Sequence, residues 1–219
     1  MILHRLVELQ AHSVIRKLTD DQSEYEFLEG LVESQKPPLP STEHHYLIQT
    51  PFRYPLPVSS EYAGRFKPPH HSRNCFYGAG AFVTGAYEYA YHWLAQRVHV
   101  TQLSQEPQPR THFQVEFRDE RCFDLRGHAN VSAIMNSRNY DASHRFVVNH
   151  PKLDSILYPS CRDPNHGDCV VTFEINHLGK DPREERTLHF IYQASKKKCR
   201  IENPLNAKPA LEIAWHEVN

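Results

Sequence analysis

The 219-residue chain has no charge excess of either sign: 25 lysines and arginines stand against 26 aspartates and glutamates, a formal net charge of -1. Without a basic surplus it does not read as a nucleic-acid binder, and it has no acidic run that would make a solvating tail. No uninterrupted apolar stretch approaches the roughly 18 residues of a membrane-spanning helix. The opening MILHRLVELQAHSVIRKL meets a charge at Arg5 and has no continuous apolar core before a small-residue cleavage site, so no signal peptide is expected. Cysteine is sparse and odd in number: Cys75, Cys122, Cys161, Cys169 and Cys199 are widely spaced, unlike a secreted disulfide framework. The cytoplasm is therefore the expected location. His-Glu-x-x-His and paired Cys-x-x-Cys are both missing. The nearest approach to a zinc ligand set is the irregular trio Cys161, His166 and Cys169, and no metal is expected. Gly78, Gly80 and Gly85 lack the Gly-Lys-Ser/Thr of a phosphate loop and read as a turn before a helix, one that could still bring backbone N–H groups near a ligand.

Hydrophobic residues at 39% and charged residues at 23% fit a folded chain with one sizeable core. Sixteen histidines are scattered along the whole length, so their number alone carries no pH-sensing argument. Residues 1 to 35 predict helix. Leu3, Leu6 and Val7, then Val14, Ile15 and Leu18, recur at three- and four-residue steps, and Thr19-Asp20-Asp21 is placed to cap a second helix carrying Phe27, Leu28, Leu31 and Val32. Lys36-Pro37-Pro38-Leu39-Pro40 ends it. This predicts a helical appendage over residues 1–40, with the main domain over 41–219. Within that domain the patterns predict short strands at Tyr46-Leu47-Ile48, Cys75-Phe76-Tyr77, within 111–126, at Ser155-Ile156-Leu157-Tyr158, Val170-Val171-Thr172-Phe173, His189 to Gln193 and Leu211 to Trp215. A long loop is expected over 55–74, a helix from Thr84 to Arg97 capped by Thr84, and helical turns over 128–150. Such a mixture is α+β.

Three positions stand out chemically. Arg53, between Phe52 and Tyr54, either snorkels its stem over apolar surface or grips a phosphate or diphosphate. Glu88 lies in Ala86-Tyr87-Glu88-Tyr89-Ala90-Tyr91-His92-Trp93, a helix aromatic around much of its circumference, where a carboxylate is costly unless paired or functional. Ser160 and Cys161 follow a strand. A nucleophile there needs a base within reach, the glycine-flanked elbow of the α/β-hydrolases is missing, and Pro159-Ser160 also reads as a plain turn.

Five blocks then fall into one order: Thr50-Pro51-Phe52-Arg53-Tyr54, Gly64-Arg65-Phe66, Phe76-Tyr77-Gly78-Ala79, Ala86-Tyr87-Glu88-Tyr89-Ala90-Tyr91 and Leu157-Tyr158-Pro159-Ser160-Cys161-Arg162. Together they resemble the RES-domain family, over about residues 44–178. The stretch from Arg16 to Pro40 resembles the N-terminal extension of a longer-chain branch. The family is named for an arginine, a glutamate and a serine, which the resemblance places at Arg53, Glu88 and Ser160, with Tyr54 and Tyr77 beside them.

The resemblance implies an ADP-ribosyltransferase-like fold, a split mixed β-sheet with flanking helices and a nucleotide cleft. It implies a toxin of a toxin–antitoxin pair, cleaving the nicotinamide–ribose bond of NAD⁺ to give nicotinamide plus ADP-ribose or ADP-ribose phosphate. Inorganic phosphate would be the co-substrate in the second case, and a protein-directed ADP-ribosyltransferase is the alternative. The implied partner is an Xre-type helix-turn-helix antitoxin, and a homodimer remains open. Glu88 would stabilise the oxocarbenium-like ribose, Arg53 would hold the diphosphate, Tyr54 and Tyr77 would stack on nicotinamide or its ribose, Ser160 would position a hydroxyl, and Arg65 would be a further phosphate contact. The order Arg, Tyr, Glu, Ser departs from the Arg, Ser, Glu order of one large transferase class, so Ser160 need not share that serine's role. A hydrolase built on Cys161 and histidines, and a binding module without turnover, are the readings from other classes.

Overall fold

The computed structural model describes residues 1–9, 19–41, 43–54, 63–69, 71, 73–100, 106–206 and 209–218. The helical run expected at Val14, Ile15 and Leu18, and the first part of the loop expected over 55–74, lie outside them.

Among the described residues nine strands form one mixed sheet: β1 (Ile2–Glu8), β2 (Phe76–Ala79), β3 (Gln108–Glu116), β4 (Phe123–Asp124), β5 (Ser155–Pro159), β6 (Asp168–Thr172), β7 (Arg183–Gln193), β8 (Lys198–Glu202) and β9 (Pro209–Ala214). Their order is β4-β5-β6-β2-β1-β3-β7-β8-β9. Only β4 and β5 pair in parallel; the other neighbours are antiparallel. Among the described residues six α-helices, α1 (Gln22–Ser34), α2 (Tyr46–Arg53), α3 (Phe82–Ala95), α4 (Val131–Ile134), α5 (Asp141–Asn149) and α6 (Trp215–Val218), accompany it. The α+β class expected from the sequence is what the chain adopts.

The first element corrects the helical reading of the N-terminus. Ile2–Glu8 is a strand in the middle of the sheet, paired with β3 from Ile2↔Glu116 to Glu8↔Arg110. A strand sends alternate residues to opposite faces, and here both faces are covered. Leu3 enters the core with Leu47, Phe76 and Phe113, while Leu6 enters the core beneath α3 with Ala86 and Ala90. Apolar residues on both faces mimic a helical step. The second expected helix is present as α1, with the Asp21 side chain accepting from the Glu24 N–H. It buries no residue, and Phe27 is 69% exposed.

Tyr46-Leu47-Ile48 is helix rather than strand. His45 caps α2, its ring nitrogen accepting from the Leu47 N–H, and Leu47 and Ile48 are buried. Pro51 sits inside this short helix, a position where proline is rarely found. Thr84 does not cap α3. Ala81 is its N-cap, and Thr84 lies buried two residues into the helix. β8 went unrecognised, whereas the strands expected near 155–158, 170–173 and 189–193 are present within β5, β6 and β7.

β1 joins the two sides of the mixed sheet. The bridge is narrow, however. β2 meets β6 over four residue pairs, but meets β1 at the single pair His4↔Ala79. Gly78 permits the approach: a Cβ there would lie 2.9 Å from the Leu3 Cβ. Beyond that pair the two strands diverge, and a cavity opens between them under α3. No helix among the described residues is long and apolar enough to cross a membrane.

Candidate active site

The cavity between β1, β2 and α3 holds about 490 Å³. Glu88 and His92 from α3, Arg5 from β1, Tyr77 from β2, and Arg65 and Arg162 from loops all line it. A second cavity of about 410 Å³, between α4 and α5, holds none of the residues expected to act.

Ser160 is the organising residue. It directly follows β5, is buried, and begins the loop that returns as β6, with its N–H donating to the Gly167 carbonyl at 2.8 Å. Its hydroxyl donates to Glu88 Oε1 at 2.6 Å. The same oxygen accepts the N–H groups of Arg162 at 3.1 Å and Asp163 at 3.0 Å. All the bonding capacity of the hydroxyl is thereby committed, which suits a positioning group better than a nucleophile. The loop is itself tied to the helix, because Thr84 Oγ1 donates to Asp163 Oδ2 at 2.7 Å. A Cβ at Gly167 would land on that pair, so glycine is what lets the loop close on α3. His166 sits in this turn in the left-handed region at φ 51°, with Nδ1 3.0 Å from the Ser160 carbonyl.

Glu88 lies where α3 crosses the cavity. Burial raises its pKa above the ordinary 4.5, against the opposing pull of the Ser160 hydrogen bond and of the positive charges of Arg65 and Arg162; Asp163 adds to the rise. Glu88 forms no ion pair among the described residues, because both arginines are committed elsewhere. Arg65 donates to the carbonyls of Ile134 and Asn136 and to Cys161 Sγ, and stacks over Tyr140. Arg162 donates to the carbonyls of Val218 and Ser137 and stacks over Tyr91. Desolvation and the same two arginines lower the pKa of His92, one turn along α3.

The structure thus brings Glu88, Arg65 and Tyr77 to one cavity, with Ser160 bonded to Glu88 behind its wall. It does not bring Arg53 and Tyr54 there. Arg53 ends α2 and donates to Glu33 Oε1 at 2.6 Å and to the Pro37 carbonyl. Tyr54 is 48% exposed. Neither lines the cavity. Arg65 is beside Glu88, but its Nη1 donors are spent on backbone carbonyls, so its charge reaches the cavity more readily than its hydrogen bonds do.

Arg5 is the cation that sequence reasoning missed. It lies on the cavity wall, with Nη1 donating to the Tyr77 carbonyl at 2.6 Å and the guanidinium over the Phe76 ring. Its Nε is buried and has no hydrogen-bond partner. Burial lowers its pKa to about 10, which leaves it charged at neutral pH. A buried cation in a cavity wall is suited to an anionic ligand group through its charge. The signal was hidden because the surrounding pattern read as an amphipathic helix. Arg162, inside the quoted Leu157–Arg162 block, also received no role from sequence.

Cys161, His166 and Cys169 do not converge. Cys161 accepts from Arg65, His166 faces the Ser160 carbonyl, and Cys169 is buried in β6. Among the described residues no three His, Cys, Asp or Glu side chains are grouped to hold a metal ion.

The RES-domain family model matches residues 39–193, more than half of the chain. The protein belongs to the RES-domain family. RES domains are known from toxin–antitoxin systems, and the matched span contains Glu88 and Ser160 but neither β1 nor the strands and helix after β7. The search of curated proteins found no match.

Proposed function

We propose that this RES-domain protein cleaves the nicotinamide–ribose bond of NAD⁺, and that its fold is of the ADP-ribosyltransferase kind with the cleft at the β1–β2 divergence. One observation carries the reading: an unpaired, partly buried carboxylate, Glu88, oriented by Ser160 in a cavity that is also lined by the cationic guanidinium of Arg5. That pairing matches a substrate whose reacting carbon becomes cationic while its diphosphate stays anionic.

In this mechanism the C1″–N bond breaks and its electron pair departs with nicotinamide, which leaves neutral and needs no proton. Positive charge builds on the ribose. Ionised Glu88 stabilises it across a low-dielectric cavity, directly or through a ribose hydroxyl. A water or phosphate oxygen then bonds to C1″, giving ADP-ribose after proton loss or ADP-ribose 1″-phosphate. Ser160 fixes the carboxylate. Arg5 takes the diphosphate role expected of Arg53, and Tyr77 forms part of the wall against the ribose. The partner would be a helix-turn-helix antitoxin of Xre type, the setting the cytoplasm, and NAD⁺ the substrate with no metal needed.

Nicotinamide release from NAD⁺ by the purified chain tests the reading; a folded sample that releases none overturns it. The protein-directed transferase shares this cavity. It predicts a mass increase of one ADP-ribose on a target protein for each nicotinamide released.

A further inference from the structure

Two arginines lie close enough to Glu88 to bias its ionisation, yet neither pairs with it among the described residues. For Arg162 the reason lies at the far end of the chain. Its Nη1 donates to the Val218 carbonyl at 3.0 Å and its Nη2 to the Ser137 carbonyl at 2.6 Å. Its Cζ sits 3.3 Å above the Tyr91 ring. Trp215 stacks against the same tyrosine, centroids 5.7 Å apart and planes within 11°. Val218 is buried with Ala90, Leu94 and Ile213, and the Trp215 N–H donates to the Lys197 carbonyl at 2.9 Å. Helix α6 is thus fixed to α3 and to Lys197 just before β8; one of its carbonyls accepts from a cavity arginine, and its Trp215 ring backs the tyrosine on which that arginine lies. Residues 194–219 follow the matched family span, so this chain supplies the hold from outside it.

We propose that α6 is a positioning element of the Glu88 site: through the Val218 carbonyl and the Trp215–Tyr91 stack it keeps Arg162 off the Glu88 carboxylate, leaving that carboxylate unpaired and open to the bound ligand. An arginine and a carboxylate in a low-dielectric wall attract strongly, and a direct pair would neutralise the charge that the ligand is to meet. Two carbonyl acceptors and an aromatic face satisfy the guanidinium without cancelling Glu88. Trp215 and Val218 touch Arg162 and its platform rather than the ligand, so they are positioning residues. The inference rests on the proposed role of Glu88 only for its consequence in turnover.

The test is a titration of Glu88 in the full-length protein, with glutamate labelled at the carboxyl carbon with ¹³C and its signal assigned by its absence in Glu88→Gln. Besides Glu88, the titratable and charged groups facing the site are Arg65 before β2, Tyr158 on β5, Cys161, Arg162 and Asp163 in the loop, Cys169 on β6, and His92 on α3. Trp215→Leu keeps apolar bulk and removes the stack. It should lower the Glu88 midpoint by about one unit as Arg162 swings in to pair, whereas Arg162→Ala should raise it. The double variant should match Arg162→Ala. A Trp215→Leu midpoint equal to wild type overturns the proposal. So does a double variant displaced below Arg162→Ala by the Trp215→Leu shift, since hydration of the cavity would then be the cause. If Trp215→Leu does not fold, Trp215→Met, which also removes the ring while keeping apolar bulk, is read by the same criteria. The titration uses the protein alone, so failure to release nicotinamide would remove the proposed activity and leave this result standing. Where turnover is measured, Trp215→Leu should lower kcat about tenfold with KM for NAD⁺ nearly unchanged.

Discussion

The Ser160 hydroxyl and the Glu88 carboxylate, 72 residues apart in sequence, meet at 2.6 Å, the carboxylate lining the cavity and the buried serine lying behind it. β5 delivers the serine and α3 the glutamate, and the Thr84–Asp163 hydrogen bond closes the loop of one against the helix of the other. The carboxylate is aimed but not neutralised, and its surroundings hold its pKa above 4.5.

That rise has two consequences of opposite sign. If the ionised form works, turnover falls as pH drops through the folded pKa, so the acid limb of the kcat profile should lie above pH 4.5. Folding runs the other way. A carboxyl with a raised folded pKa binds its proton more tightly when folded, so its effect on stability becomes less favourable as pH rises from 4.5 through the folded value. Glu88→Gln keeps the acceptor for Ser160 and removes a desolvated charge. Its melting temperature at pH 7 should exceed wild type by a few degrees, about 1 kcal/mol at roughly 2–4 °C per kcal/mol. A melting temperature below wild type would show that the carboxylate is not under such strain.

Ser160→Ala strands the N–H groups of Arg162 and Asp163 as well as freeing Glu88. Leaving buried donors unmet costs about 1–3 kcal/mol. The expected outcome is a lower denaturant midpoint and a kcat reduced about tenfold or more, with KM changing less. A nucleophilic serine would instead give turnover close to zero and a trapped covalent adduct by mass spectrometry in the wild type.

Arg5 and Arg53 make contrasting predictions. Arg5→Gln removes the charge of a buried donor in the cavity wall and should raise KM for NAD⁺ about 10-fold to 100-fold, the worth of a charge-assisted hydrogen bond. Arg53→Gln breaks a contact with the half-exposed Glu33 and should leave KM within about threefold, since such surface pairs contribute little. Steady-state kinetics on the two variants would decide which arginine holds the diphosphate; the reverse pattern would restore the role to Arg53.

How much of this was readable beforehand depends on where each signal sat. Glu88 was legible because a carboxylate amid Tyr87, Tyr89 and Tyr91 conflicts with its surroundings, and Ser160 because a strand stops there. The strands β5 and β6 carried plain apolar runs. β1 and α2 were misread for a common reason: local pattern reports burial, and burial on both faces of a central strand, or a proline inside a short helix, breaks the usual period. Arg5 was lost with β1. Arg53 and Tyr54 stood in a sequence block that resembles the family, but resemblance gives no distance, and α2 carries them to Glu33 and the surface. The grip of Val218 on Arg162 was beyond sequence, since a backbone carbonyl has no residue signature.

A histidine pair, one ring buried and one half-buried, gives a separate pH signature. His112 is fully buried, accepts from Arg186 at Nδ1 and meets His4 Nδ1 at 3.1 Å through Nε2. Burial, with Arg186 and His4 nearby, lowers its pKa to about 3. The unfolded chain takes up a proton near pH 6.5 that the folded chain refuses, so stability should fall as pH drops from 6.5 towards 3, by at most about 1.4 kcal/mol per unit. Denaturant midpoints for wild type and His112→Gln across that range check it; equal slopes would rule the histidine out.

The most direct test of the central claim follows nicotinamide and the ribose product by chromatography, with purified protein and NAD⁺, with and without inorganic phosphate, for wild type beside Glu88→Gln. The account predicts nicotinamide release by wild type, ADP-ribose or its 1″-phosphate according to the acceptor, and at least about 100-fold less from Glu88→Gln. A folded wild type that releases nothing under either condition, or a Glu88→Gln variant that matches it, would contradict the account.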